Sequence, residues 1–231
     1  SSHEWRRTTP LLRQILEGTG RFDVTVATSP PAGSDMASFR PDFSGYDVVV
    51  SSYVGAPWPE QTKQDFIRYL AGGGGFVSVH SANSAFASWH AYRQIIGLGG
   101  WDSSGGGTDQ NIHWLESKQR FVRVAPDGKA GVPNRREPFE VVVRDDTHPI
   151  SRGLPRRFMQ THDEVFNRLR GPAQNLHVLA TAFSNPRLGG SGRHEPVLLT
   201  VQYGNGRVFQ TTLGHDERAM PGIAFQETFQ R

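Results

Sequence analysis

The chain has 231 residues, with 25 Lys or Arg, 22 Asp or Glu and no Cys, so its formal net charge is +3. This length suits one α/β domain, since such folds often reach about 250 residues around a single core. The absence of cysteine excludes a disulfide framework, a cysteine-bound zinc or iron–sulfur site and a thiol nucleophile. The apolar runs are shorter than the roughly 18 residues that a membrane-spanning helix needs, so we expect no membrane span.

The arginines do not form a nucleic-acid motif. Arg135, Arg136, Arg152, Arg156 and Arg157 are scattered with little aromatic sequence between them. This distribution is typical of a solvated surface, so we expect no nucleic-acid partner. No signal peptide is visible, which predicts a cytoplasmic location, but a processed N-terminus would hide one.

The first hundred residues alternate helix and strand patterns. Residues 9–18 predict a helix with Thr9 as N-cap and Pro10 at the first helical position. Strands are predicted at 22–26, 46–53 and 76–79. Helices are predicted at 59–71, where four glycines stop the helix, and at 82–96. This alternation predicts an α/β fold with a doubly wound, mostly parallel sheet.

The second half of the chain has fewer helical patterns. Residues 97–137 have few periodic apolar positions and predict an irregular excursion over the sheet edge. Strands are predicted at 139–143 and 177–182, followed by a C-terminal antiparallel hairpin at 196–213 that turns at Gly204-Asn205-Gly206. We find no boundary that divides the chain, so residues 1–231 form one predicted domain whose usual first strand is missing.

Histidines follow the predicted strand ends, which is where an open parallel sheet binds ligands. His80 comes directly after the strand at 76–79, His215 follows the hairpin, and His3 would follow a missing first strand. Asp163 and Glu164 lie in a loop-like stretch. Imidazoles and carboxylates at one edge predict a divalent metal site, zinc or manganese, or an acid/base pair. The alternative is that each histidine only caps a helix or bonds a carbonyl, because the spacing is not a metal signature.

Aromatic side chains near the predicted loops offer surfaces for a sugar ring. Tyr53, Trp58 and Trp89 are the candidates for substrate stacking. Packing of these rings into the core beneath a loop is the competing interpretation.

Several motifs together resemble one known family. They are His3-Glu4-Trp5, the glycine-rich run at 72–82, Asp146-Thr147-His148-Pro149-Ile150, Asp163-Glu164-Val165-Phe166 and Leu213-Gly214-His215-Asp216. In this order they are similar to the ThuA-like (trehalose utilisation) family, and they span nearly the whole chain.

The resemblance implies a class I glutamine amidotransferase-like fold with a flavodoxin-like sheet. In true amidotransferases a nucleophilic Cys follows the glycine-rich strand, whereas His80 stands at that place here, so amidotransferase activity is not expected. The family is linked to catabolism of trehalose and related sugars, often beside dehydrogenases that make 3-keto sugars. Residues 115–137 depart from the family pattern by being longer and more basic, and the usual Trp-containing C-terminal helix is missing.

Two main hypotheses follow. The first is an enzyme, a hydrolase, lyase or isomerase, that acts on a sugar or keto-sugar. The second is a non-catalytic carbohydrate-binding or interaction module that uses the same cleft, and a scaffold with a vestigial cleft is a third. Either of the first two implies a small-molecule carbohydrate partner, and a homo-oligomer is compatible with both. The predicted roles are catalytic for His80, Asp163 and Glu164, metal-binding for His3, His80 and His215, and substrate-binding for Tyr53, Trp58 and Trp89.

Overall fold

A computed structural model describes residues 4–101 and 109–231 of the chain. The helices and strands of the described residues are, in chain order, α1 (Trp5–Glu17), β1 (Val48–Ser51), α2 (Glu60–Ala71), β2 (Gly75–Val79), α3 (His90–Ile96), β3 (Gln110–Leu115), β4 (Arg120–Val124), β5 (Val132–Pro133), β6 (Glu137–Val143), β7 (Arg157–Asp163), β8 (Phe166–Asn167), β9 (Arg170–Gly171), β10 (Leu176–Phe183), β11 (His194–Tyr203), β12 (Gly206–Thr211) and α4 (Ile223–Phe229).

A 10-stranded mixed sheet organises these elements, with the strand order β1-β2-β12-β11-β10-β6-β7 and a side branch of β3, β4 and β9. β1 pairs with β2, and β2 with β12, in parallel. The pairs from β12 through β11, β10 and β6 to β7 are antiparallel. Because an even number of antiparallel pairings separates β12 from β7, both strands run in the same direction and end at the same edge.

Helices cover both faces of the sheet, and each face has its own core. On one face α2 and α3 bury Phe66 and Tyr92 with Phe76 of β2. On the other face α1 and α4 bury Leu12 and Phe225 together with Val79, which points to the opposite side of β2. The alternation of side chains along β2 therefore separates the two cores, and the architecture is α/β.

Much of the predicted secondary structure is confirmed. The helix at 59–71 corresponds to α2, the strand at 46–53 to the shorter β1, and the strands at 76–79, 139–143 and 177–182 to β2, β6 and β10. The hairpin is confirmed as β11 and β12, whose last pair is Tyr203 with Gly206. Its turn depends on Gly204, where φ is +57°.

The parallel character of the sheet is more limited than predicted. Among the described strands, parallel pairing is confined to β1, β2 and β12. The reason is that the hairpin continues into antiparallel β10, β6 and β7 instead of returning through crossover helices. The doubly wound, flavodoxin-like detail is not confirmed.

The helix predicted at 9–18 is confirmed as part of α1, but its predicted N-cap and the strand predicted at 22–26 are wrong. The helix begins at Trp5, because the Glu4 carbonyl already accepts the N–H of Thr8 at 3.1 Å, so Thr9 is not the N-cap and Pro10 lies inside the helix. Residues 22–26 form no strand. Phe22 satisfies the alternating pattern by packing against the second core without a neighbouring strand.

Three further predictions are corrected. The helix at 82–96 is a 3-10 turn (His80–Ser84) and then α3, since Phe86 between them has a φ of +52° that no α-helix accommodates. The predicted irregular excursion at 97–137 contains the paired strands β3 and β4, and residues 102–108 of it lie outside the described part. Asp163 lies at the end of β7 and not in a loop.

No helix within the described ranges is long and apolar enough to cross a membrane.

We predict that the buried ion pair between Arg93 of α3 and Asp109 is a main determinant of stability. The side chains are 4 % and 2 % exposed. Arg93→Met removes the guanidinium from a buried carboxylate and should lower the free energy of unfolding by about 3–5 kcal/mol in urea titrations. The matched control is Arg68→Met, which breaks an exposed pair with Asp65 and should cost about 0–1 kcal/mol. Equal losses in the two variants would contradict this account.

Candidate functional site

Three segments bring polar side chains to one edge of the sheet. His80 follows β2, Glu164 follows β7, and His215 lies in the chain beyond β12. Thr211 pairs with Val79 in the parallel register, so the chain leaves both strands side by side. The side chains of His80, Glu164 and His215 are 4 %, 9 % and 10 % exposed, which places this cluster below the surface.

His80 is held in one orientation by its own backbone and by the neighbouring strand end. Its φ is +49°, a left-handed conformation that costs energy in a residue with a side chain. Its Nδ1 lies 2.8 Å from the carbonyl oxygen of Thr212, which can only accept, so Nδ1 carries the proton. The lone pair is therefore on Nε2, which faces the other two members of the cluster.

His215 and Glu164 complete a small triangle of polar atoms around Nε2 of His80. Nδ1 of His215 lies 3.0 Å from that nitrogen and 3.1 Å from Oε1 of Glu164. Oε1 of Glu164 is 3.5 Å from Nε2 of His80. Nε2 of His215 faces an N–H of Arg136, so the proton of a neutral His215 is on Nδ1. With both rings neutral, the three atoms at the centre of the cluster share that single proton.

The dimensions of the triangle fit a metal centre. Zinc bound at about 2.0–2.1 Å holds tetrahedral ligand atoms about 3.3 Å apart. The three separations here are 3.0, 3.1 and 3.5 Å. The residues also have the composition of catalytic zinc and facial-triad sites, two imidazoles and one carboxylate. The bond from Nδ1 of His80 to Thr212 is the kind of second contact that orients a metal-binding histidine.

Electrostatics keep Glu164 ionised. Burial alone would raise its pKa, but hydrogen bonds and charge interactions with His215 and His80 outweigh burial and lower the pKa to about 2. A carboxylate with such a pKa is a weak general base near neutral pH and a good cation ligand.

Asp163 holds the segments that carry Glu164 and His215. Its side chain is fully buried. Its oxygens accept hydrogen bonds from the backbone N–H of Glu164 at 3.0 Å, of Gly214 at 2.8 Å and of His215 at 3.4 Å. The side-chain amide of Gln160 donates a fourth bond at 2.8 Å. The structure thus places this carboxylate behind the cluster, in contact with the backbone, and its catalytic role stays a prediction.

A break in the strand pattern makes this placement possible. His162 has a φ of +54°, and the register between β6 and β7 shifts between Glu137 and Phe139. The alternation of buried and exposed residues is interrupted there, so Asp163 and Glu164 are buried in succession.

The three aromatic candidates lie in or beside the first core, and one metal candidate cannot be placed. His3 lies outside the described residues. Trp58 is 6 % exposed and packs between Phe43 and Phe86 in the first core, and Tyr53 and Trp89 are half-buried beside it. Their roles in stacking on a sugar stay predictions.

Arg136 is the residue that the sequence did not indicate. Its guanidinium contacts His215, donates to Asp216 at 2.9 Å and lies 3.7 Å from Oε2 of Glu164. No local signal distinguishes it from the neighbouring Arg135, because only the fold brings residue 136 to the strand ends.

A family model and a similar solved structure give the same family for this chain. The family model ThuA, described as trehalose utilisation, matches residues 1–231. A solved ThuA-like protein from Parabacteroides merdae ATCC 43184 is 39 % identical, with a TM-score of 0.94, over 100 % of this chain and 84 % of its own. No curated protein matches the chain.

More distant structures share the fold alone. A ThuA-like protein from Bacteroides uniformis ATCC 8492 is 18 % identical over 96 % of this chain and 79 % of its own, with a TM-score of 0.60. A cytoplasmic protein from Salmonella typhimurium LT2 is 15 % identical over 97 % of this chain and 85 % of its own, with a TM-score of 0.54.

We predict that Asp163→Ala destabilises the protein and loosens the cluster. The substitution leaves the buried N–H groups of Glu164 and Gly214 without an acceptor, which should lower the free energy of unfolding by about 2–5 kcal/mol. Asp146→Ala removes an exposed acid and should change it by less than about 0.5 kcal/mol. Denaturant titration measures the free energy of unfolding of both variants. If Asp163→Ala lowers it as little as Asp146→Ala does, Asp163 does not hold the segments of Glu164 and His215 in place.

We also predict a pH-dependent contribution from Glu164 in protein treated with a chelator. Its pKa is about 2 in the folded protein and ordinarily 4.5, so its stabilising effect is complete above the ordinary value and is lost as the pH falls toward 2. The difference in Tm between wild type and Glu164→Gln should therefore shrink from about pH 6 to about pH 3. A difference that stays constant over this range would show that the carboxylate is not stabilised by the histidines.

Proposed function

Because this chain belongs to the ThuA family, which is described as trehalose utilisation, we propose that it is an enzyme that acts on a sugar or keto-sugar at the cluster of His80, Glu164 and His215. The observation that carries the proposal is the convergence of these three buried side chains, whose ligand atoms lie within 4.8 Å of one another. Three strand ends that are distant in sequence supply them. Such convergence of ionisable groups is typical of a site that does chemistry.

In this proposal the cluster would hold a divalent cation, zinc or manganese, through Nε2 of His80, Nδ1 of His215 and a carboxylate oxygen of Glu164. When bound, it would supply a Lewis acid for a carbonyl or hydroxyl oxygen of the sugar. Thr212 keeps the lone pair of His80 directed at the site. Asp163 holds the backbone of Glu164 and His215 at a fixed separation.

The reaction class we propose is hydrolysis, elimination or isomerisation of a sugar. A carbonyl group makes a neighbouring C–H bond easier to break, so a keto-sugar would need only the polarising centre and one proton acceptor. Amidotransfer is not assigned, because His80 stands where that reaction needs a thiol. The pKa of Glu164 supports a ligand role. Because both histidines of the cluster would also be ligands, we assign the proton acceptor to none of these three residues.

We predict that His80→Ala and His215→Ala each lose bound metal and lose turnover of 3-keto-trehalose. Each variant removes one of the three ligands, which should lower cation affinity by about 100-fold or more, and turnover should be lost with the bound metal. Metal content of untagged protein and product formation are the measurements. His177→Ala, which removes an exposed histidine paired with Asp145, is the control and should behave as wild type.

The alternatives give different results in the same experiment. Sugar binding without turnover in wild type would indicate a carbohydrate-binding module. Full turnover by both His80→Ala and His215→Ala would refute the assignment of the site.

A further inference from the structure

Arg136 lies at the solvent side of the cluster. Its side chain is 47 % exposed, whereas the side chains of His80, Glu164 and His215 are at most 10 % exposed. Asp216, which accepts a hydrogen bond from Nη1 of Arg136 at 2.9 Å, is 20 % exposed. A ligand that approaches the cluster from this side therefore meets the guanidinium first.

The position of Arg136 is unfavourable for a site that only holds a cation. A positive charge so close to Glu164 competes with a divalent ion for the same carboxylate and lowers the affinity of the site for that ion. Within the described ranges, the contacts of Arg136 leave some of its five N–H donors directed at neither acid nor His215. These donors can serve an incoming acceptor.

The tautomer of His215 connects Arg136 to the occupancy of the cluster. Arg136 now donates to Nε2 of His215, which requires the proton to be on Nδ1. When Nδ1 binds a cation, a neutral ring must carry its proton on Nε2. Two N–H donors would then face each other, so the contact between Arg136 and His215 breaks, while Asp216 keeps the guanidinium at the site.

We propose that Arg136, released from His215 in this way, binds the carbonyl oxygen of a keto-sugar and so selects the keto form over the parent alcohol. This inference rests on the proposed function and names a feature of its substrate. A guanidinium only donates hydrogen bonds, so it matches a carbonyl oxygen, which only accepts them. It pairs less well with a hydroxyl, whose own O–H needs a separate acceptor. Charge-assisted bonds of this kind strengthen as negative charge gathers on the oxygen.

The test compares Arg136→Gln with wild type by calorimetry, using manganese alone and then 3-keto-trehalose or trehalose with saturating manganese. Gln removes the charge, and its side-chain oxygen can accept a hydrogen bond from the N–H at Nε2 of His215, so manganese should bind as tightly as in wild type or several-fold tighter. Affinity for 3-keto-trehalose should fall by about 10- to 100-fold, the loss of one charge-assisted bond, and affinity for trehalose should change much less.

Two further variants sharpen the comparison. Arg136→Lys keeps the charge but not the planar fork and should recover part of the lost affinity. Arg157→Gln removes an exposed arginine paired with Glu140 and should match wild type. A melting curve of each variant confirms that the fold is intact.

The outcomes separate this inference from the proposed function. Unchanged binding of 3-keto-trehalose by Arg136→Gln, with tighter manganese, would overturn the inference and leave Arg136 as a partner of the acids. Equal losses for both sugars would also overturn it, since no carbonyl selection would remain. If manganese-loaded wild type binds no keto-sugar, the proposed keto-sugar substrate and the inference both fail.

Discussion

The carboxylate of Asp163 is the contact on which the geometry of the site depends. It lies at the end of β7 and accepts hydrogen bonds from backbone N–H groups of two segments. Glu164 belongs to the segment that follows β7, and Gly214 and His215 belong to the segment that follows β12. These strands are separated by β11, β10 and β6 in the sheet, so no ladder of hydrogen bonds joins them directly. One buried side chain therefore fixes the distance between Glu164 and His215.

The orientation of the two histidine rings in the cluster depends on which ring nitrogen carries the proton. The Thr212 carbonyl fixes the tautomer of His80, and Arg136 fixes that of His215. The carboxylate of Glu164 stays charged between them because both rings stabilise it. In the proposed function a cation replaces the shared proton of the cluster, and the change of the His215 tautomer then frees Arg136 at the solvent side.

Sequence patterns within a few neighbouring residues predict part of the fold and part of the site. The sequence indicates His80 and His215 because each follows an apolar strand, and it indicates the β11–β12 hairpin because of the Gly-Asn-Gly turn between two apolar runs. Strand β7 has no clean alternation of apolar residues, because its register shifts and His162 has a left-handed backbone, so the sequence pattern predicts a loop at Asp163. Arg136 could not be recognised, because its role arises from a contact with residues about 80 positions away.

The most direct test of the central claim is the anomalous difference density of crystals soaked with manganese or zinc. The account predicts one strong peak, about 2.0–2.2 Å from Nε2 of His80, Nδ1 of His215 and an oxygen of Glu164, with the Arg136 contact to His215 broken. A peak bound through Nε2 of His215, or no peak at these three residues in soaked crystals, would contradict it.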